Sequence, residues 1–367
     1  MAAAFHPIAP RAAPAGTRGP LLWLRMNLFG DWKSAITTIA LLGLAAAWLP
    51  GVADWVVLRA VFAPSLPECS AARGTGACWG VVAEKYRLII LGRYPFAEQW
   101  RPVAATVLLF GLLVVSCTRR CWKPWLPPLW FGVFAAVYVL MRGGVFGLTL
   151  VTTDLWGGLP LTVMLATLSI VLAFPVSIAV ALGRRSRLPA IRTLCTVYIE
   201  LIRGVPLISL LFMASFLFPL FMPVGKSPDV LLRVLVGLTL FAAAYLAETV
   251  RGGLQAIPRG QVEAAESLGL GYWQVQRKIV LPQALAIVVP AVMNNFIAIF
   301  KDTSLVTIVS LYELTGSMQL ALSSDADWRP YKVEGYIFIA MIYFAICFAM
   351  SRYSLWIEKQ VGASRQR

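Results

Sequence analysis

Residues Arg251–Leu285 read RGGLQAIPRGQVEAAESLGLGYWQVQRKIVLPQAL, a polar stretch set between two long apolar runs. Its first half, from Gln261 to Leu268, is dense in strong helix formers, among them Glu263, Ala264, Ala265, Glu266 and Leu268. Gly269 and Gly271 then stop that helix in the way a helix C-terminus is usually stopped. A second short helix is expected over residues 272–280. Pro282 falls in the first turn of the next apolar run, where a missing amide is tolerated. The pattern therefore predicts a helix, a sharp turn and a second helix, lying under the border of a membrane. Two adjacent alanines offer a low, smooth face, and Tyr272 and Trp273 just after the turn supply side chains that fill an apolar groove of a partner. A hairpin that only joins two spans is the plainer alternative.

The flanking runs make the membrane assignment. Of the 367 residues, 59% are hydrophobic and only 13% charged, and the mean hydropathy is +0.76. That is more apolar surface than a water-soluble domain hides. Charge-free stretches recur at 34–53, 102–118, 124–141, 155–183, 204–225, 234–247, 279–300 and 335–351. Most approach the ~20 residues that cross a hydrocarbon core. An all-α, polytopic membrane protein with about eight transmembrane helices is the expected fold class. Residues 1–33 are expected to be a cytosolic tail, disordered to about Asn27, rather than a cleaved signal, because the first apolar run follows a long Ala/Pro/Gly/Arg leader.

Charge sets the orientation. Lys and Arg outnumber Asp and Glu by 32 to 17. With the N-terminus in the cytosol, the basic excess collects on that side, most clearly at Arg184, Arg185, Arg187 and Arg192, which have no acidic neighbour. The net charge of +15 thus reads as topology and contact with membrane lipid, and not as nucleic-acid binding. Both termini are then expected in the cytoplasm of a cell whose inner membrane the chain crosses many times.

The map divides the cysteines. Cys69 and Cys78 share a large outside loop over about 54–101, where they form either a disulfide or two free thiols. Cys117 and Cys121 do not make a zinc site, since His6 in the tail is the one histidine and no second ligand pair lies near; no metal is expected. Neither is catalysis: His6 cannot serve a serine nucleophile. Val224, Gly225, Lys226 and Ser227 imitate the end of a phosphate loop, but Leu220 stands where that loop requires glycine.

Two blocks follow. Residues 34–158 hold three spans and the large loop, with the apolar piece 143–153 too short to cross and expected along the outer interface. Residues 159–360 hold five spans and the cytosolic loop at about 250–281, and residues 361–367 form a C-terminal tail. Within the second block Glu200, Arg203 and Gly204 in YIELIRGVP repeat the spacing of Glu248, Arg251 and Gly252 in AETVRGG. On a helix the i, i+3 spacing lets each carboxylate pair with its guanidinium at the lipid border. Such pairs serve either as interfacial anchors or as parts of a cytosolic gate.

The quoted loop resembles the membrane subunits of bacterial ABC importers, whose signature is Glu-Ala-Ala, three residues, Gly, nine residues, Ile, one residue, Leu-Pro. Here Glu263, Ala264 and Ala265 are followed by Gly269, Ile279, Leu281 and Pro282. YIELIRGVPL, AETVRGGLQAIPRGQVEAAESLGL, VLPQAL and KDTSL are similar to the polar amino acid (histidine/glutamine type) branch. The first three spans exceed that family's five-span minimum. They resemble the longer permease of general L-amino-acid importers. The resemblance implies a MetI-like, type I permease core over 159–360 that translocates amino acids. Its partners would be a cytosolic ABC ATPase dimer holding ATP and Mg, a second permease in a heterodimer, and a periplasmic substrate-binding protein. The chain itself would hold no cofactor and hydrolyse nothing. Glu263 to Gly271, with Gly269, Leu270 and the following Tyr272 and Pro282, would form the helix that couples to the ATPase.

Intramembrane polar groups are costly and tend to have a role. Thr162, Thr167, Ser169, Ser177, Ser209 and Ser215 are such groups, and Asn294 and Asn295 are the foremost candidates for a substrate path, with helix packing as the alternative. Lys301 and Asp302 are placed either to meet an amino acid's carboxylate and ammonium or to anchor the span. The rival reading is an ion-coupled secondary transporter for small polar solutes. That chemistry calls for paired acids deep in a span, whereas every Asp and Glu reads as lying near a border.

Overall fold

The computed structural model describes residues 19–223 and 225–365; side chains are described through Gln360, Leu21 excepted. His6, Val224 and the last two residues of the C-terminal tail, on which expectations were placed above, lie outside the described residues. The chain divides into two compact units, one ending at Gly80 and the other running from Val81.

The first unit holds α1 (Pro20–Leu28), α2 (Trp32–Ala53) and α3 (Leu66–Ala71). Residues 20–28, expected to be disordered as far as about Asn27, are helical: Pro20 sits at the first turn and Leu, Trp and Met follow. Asp31 caps α2 by accepting from the Ser34 amide at 2.8 Å. No residue of α2 is buried, as suits a helix whose surroundings are lipid. Beyond it the loop is tied down: Ala77 N–H donates to Trp55 O at 2.9 Å, and Trp79 Nε1 to Val56 O at 2.8 Å. Cys69 and Cys78 stand as a disulfide.

The second unit contains α4 (Gly80–Leu91) from its second residue on, α5 (Trp100–Cys117), α6 (Leu126–Arg142), α7 (Gly158–Arg184), α8 (Pro189–Gly204), α9 (Leu207–Phe212), α10 (Val230–Gln255), α11 (Arg259–Ser267), α12 (Tyr272–Val275), α13 (Leu281–Asp302), α14 (Leu314–Ser323) and α15 (Lys332–Arg365). Among the described residues there are helices and two isolated bridges but no strand ladder. Across the described residues of both units, six helices are long and apolar enough to cross a bilayer, or seven if the bent pair α8 and Leu207–Phe221 is one span. With the shorter apolar helix α6 (17 residues) counted as well, the number reaches the expected eight. The 17-residue α6 is short, and the run at 204–225 does not continue the helix before it but turns by 105° at Val205-Pro206. Proline drives the preceding residue out of the helical region, and Val205 is extended at φ −105°.

α7 and α10 form the centre. Leu161, Leu165, Ala166 and Ala173 of the first and Val234, Leu238, Ala242 and Ala243 of the second are all at most 2% exposed. The small residues let the backbones approach, as membrane helix pairs require. α13 closes on α10 at Gly253, where any Cβ would stand 2.6 Å from Ala284 O and 2.8 Å from Val288 Cγ1. At the opposite end, buried Arg101 of α5 donates to Leu140 O at 2.6 Å and Thr149 O at 3.0 Å, fixing the loop after α6. There too Lys85 reaches Asp325 at 2.8 Å, and its hydrogen bond and charge hold that carboxyl below the usual range.

Candidate functional site

The hairpin after α10 is built by local chemistry. α11 ends in a left-handed residue, Gly269, at φ +78°. Around it Leu270 N–H donates to Ala265 O at 3.2 Å and Gly269 N–H to Glu266 O at 2.9 Å, the double closure that an αL glycine permits. Gly271 then starts α12, its N–H donating to Gln274 Oε1 at 3.1 Å. The chain passes through a wider, π-type turn at Gln276–Val280 and enters α13, with exposed Pro282 in the first turn.

The two faces of the hairpin differ. Ala265, Val275 and Val280 are at most 2% exposed and pack with Ala181 of α7, Ile199 of α8, Ala247, Val250 and Leu254 of α10 and Ala284 of α13, with Leu270 and Ile279 alongside. The smooth face expected from Ala264 and Ala265 together is thus half wrong. Ala265 faces the helices, since a nine-residue helix that carries a core contact must turn one alanine inward, and Ala264 alone faces out with Glu263. On the outer face Leu268 is 81% and Trp273 72% exposed, and Tyr272 meets Trp273 ring edge to face at 5.2 Å. Leu268, in sequence a helix former only, is thus part of the outer surface. Its one available signal is an apolar residue directly before the turn glycine.

Beside the hairpin lies a charge cluster. Arg184 donates to Glu200 at 2.7 Å and to Glu248 at 2.9 Å, joining the ends of α7, α8 and α10. Arg251 pairs with Glu248 as the i, i+3 spacing predicts. The matching Glu200–Arg203 pair does not form: Arg203 lies over the Tyr245 ring at 5.4 Å, and Glu200 turns to Arg184. Arg185 adds a bond to Leu254 O at 2.8 Å. The hairpin end of the bundle is therefore held by apolar packing and by one shared guanidinium.

The residues expected on a substrate path separate. Asn295 donates to Thr249 Oγ1 and to Ala291 O, both at 2.9 Å, and so serves the α10–α13 contact. Asn294 and Lys301 are exposed on the same side of α13 as Ala291 and Ala298, a stripe of small and polar residues. Asp302 is half-buried at the end of that helix. Of the hydroxyls, Thr162, Thr167, Ser169 and Ser177 are buried and bond to backbone carbonyls of their own helix.

One group escaped the sequence reading. Glu313 is wholly buried, and its carboxyl oxygens accept from Thr307, Thr315 N–H, Gly316 N–H, Thr162 and Tyr343 at 2.8–3.3 Å. It caps α14 and knots that helix to α7 and α15 at the end away from the hairpin. The sequence gives it no role, because a carboxylate capping a short helix resembles a loop residue in sequence. Its five donors are hydroxyls and amides; no cation is among them.

The family of binding-protein-dependent transport system inner membrane components matches residues 173–362. The chain is 45% identical to the inner membrane amino-acid ABC transporter permease protein YhdY of Escherichia coli (strain K12), over 98% of this chain and 97% of that protein. It is 36% identical to the glutamate/glutamine/aspartate/asparagine transport system permease protein BztC of Rhodobacter capsulatus, over 96% of each. Among solved structures, a crystal structure of an amino acid ABC transporter with histidines matches with a TM-score of 0.50 at 30% identity, covering 55% of this chain and 92% of that one.

Proposed function

Because the chain belongs to the binding-protein-dependent transport system inner membrane components, we propose that its hairpin is the point at which a separate ATPase drives it. The protein is a multi-pass inner-membrane permease subunit of an ABC importer of amino acids. Work done by another subunit must enter through a rigid element joined to several spans at once. One observation carries the assignment to Arg259–Val280: its inner face is sealed against the ends of α7, α8, α10 and α13, while Leu268, Tyr272 and Trp273 stand free beside Glu263. Apolar side chains clustered on a polar loop mark a surface that a partner covers.

In this reading the hairpin and both termini face the cytosol, as the basic residues around Arg184 favour. The partners are a cytosolic ABC ATPase dimer that holds ATP and Mg, a second permease, and a periplasmic substrate-binding protein that delivers the amino acid. Glu200, Arg203, Glu248 and Arg251 hold the cytosolic ends of the spans together. The stripe with Asn294 and Lys301 lines the path, since a polar face turned to lipid costs far more than one turned to water.

Co-purification tests the docking surface. With the permease tagged, Trp273→Ala and Glu263→Lys are expected to lower the ATPase recovered by about tenfold each, the loss of one good interfacial contact. Full recovery of the ATPase with both variants contradicts the proposal.

A further inference from the structure

A cavity of about 730 Å³ opens at the end of the bundle away from the hairpin, between α6, α7 and α10. Its lining is graded with depth. At the rim stand Arg142, Thr152, Thr153, Asp154 and Asp229, all at or beyond helix ends, with the apolar Leu150, Val151 and Trp156 of the same loop beside them. Deeper along each helix come Phe134, Leu168 and Leu235. From Arg142 back to Phe134 is eight residues of helix, on the order of 12 Å toward the membrane interior at 1.5 Å per residue. A polar mouth over an apolar shaft of that depth has the profile of a phospholipid.

The rim also has a charge pattern. Arg142 touches the Tyr138 hydroxyl and lies 5.8 Å from that ring, but it has no carboxylate partner among the described residues. The Asp154 side chain has no hydrogen-bond or ion-pair partner among the described residues either, although Arg93 holds its backbone oxygen at 2.5 Å. Asp229 accepts from Thr153 at 2.6 Å and from the Leu231 amide at 2.8 Å, with no cation on it. One guanidinium and two carboxylates thus share a rim without neutralising one another. A headgroup with an anionic and a cationic end, placed between them, would satisfy both.

We propose that this cavity is a binding site for one zwitterionic phospholipid with a primary ammonium headgroup. The phosphate meets Arg142 and Tyr138. The ammonium meets Asp154 and Asp229, and an acyl chain fills the shaft past Phe134, Leu168 and Leu235. Choline, which has no N–H to donate, and glycerol, which has no cation, fit the rim less well.

Native mass spectrometry of the full chain, purified in detergent and exchanged against dioleoyl phosphatidylethanolamine, phosphatidylcholine or phosphatidylglycerol, tests it. The expected result is one retained phosphatidylethanolamine per chain, about tenfold preferred over either competitor, the worth of one charge-assisted hydrogen bond. The double variant Asp154→Asn, Asp229→Asn is expected to erase that preference; asparagine still caps α10, so the helix start is kept. Leu168→Trp blocks the shaft without touching a charge and is expected to remove retention of all three lipids. Equal retention of the three by the unaltered chain overturns the proposal. So does retention unchanged in both variants, or no retention at all, as when a segment of a neighbouring permease occupies the cavity.

Discussion

The Asn295 side-chain amide donates to Thr249 Oγ1 at 2.9 Å, fastening α13 to α10 midway along their contact. Its neighbour Asn294, about 100° around the helix, is exposed in the stripe that holds Lys301. Adjacent asparagines therefore have separable roles. Asn295→Ala is expected to lower the stability of the detergent-solubilised chain by about 1 kcal/mol, read as a drop in melting temperature, with uptake reduced only in proportion to folded protein. Asn294→Ala should leave melting unchanged and alter the KM for amino acid uptake. The reverse pattern would exchange the two assignments.

Gly269 has φ +78°, a conformation that a Cβ strains by roughly 1–2 kcal/mol. There is open space around it, so the strain is conformational and not a clash. Gly269→Val is expected to loosen the turn between α11 and α12 and to uncouple the importer: ATP hydrolysis by the assembled complex persists while uptake falls several-fold. Normal uptake per ATP in this variant would show that the turn carries no force.

Arg184 serves two carboxylates of unequal exposure, Glu200 at 59% and Glu248 at 24%. The more buried bond is worth more, because solvent screens exposed ion pairs to below about 1 kcal/mol. In double-mutant cycles built on Arg184→Gln, coupling to Glu248→Gln is expected to exceed coupling to Glu200→Gln, which should stay below about 0.5 kcal/mol. A larger coupling to Glu200 contradicts the arrangement.

Glu313→Gln replaces one accepting oxygen with an NH2 that faces the hydroxyls of Thr162 and Tyr343. A destabilisation of about 1–3 kcal/mol is expected, the cost of mispaired buried polar groups, against almost none for exposed Glu200→Gln. Thermal unfolding of the two variants side by side reads the difference. Equal melting temperatures would mean that the Glu313 knot does not hold α14 to α7 and α15.

Much of this was legible in the chain, and the parts that were not share a cause. The α11–α12 hairpin is written locally, in helix formers before Gly269 and in a glycine that alone suits the left-handed turn. The Glu248–Arg251 pair is local too, three residues apart on one helix. The identical spacing at Glu200 and Arg203 failed because the end of α7 brings Arg184 to Glu200, a tertiary fact. Which of Ala264 and Ala265 faces inward depends on where α10 and α13 end, not on the composition of α11. Glu313 is hidden for the same reason: two of its donors, Thr162 and Tyr343, come from helices distant in the chain. The 105° break at Val205-Pro206 had a local signal in its proline, masked by an apolar run that continued through it.

The proposed coupling requires the outer face of the hairpin to be gripped from the cytosol. In the assembled importer, a single cysteine introduced as Leu268→Cys, in a chain whose native free cysteines are replaced by serine, tests this with a short maleimide–benzophenone crosslinker, whose maleimide takes the thiol and whose photoactivated ketone inserts into a neighbouring C–H bond of whatever lies against it. The account predicts a covalent adduct between this chain and the ATPase, and no labelling of intact cells by a membrane-impermeant maleimide. Labelling from outside, or a fully active importer that gives no adduct, would contradict it.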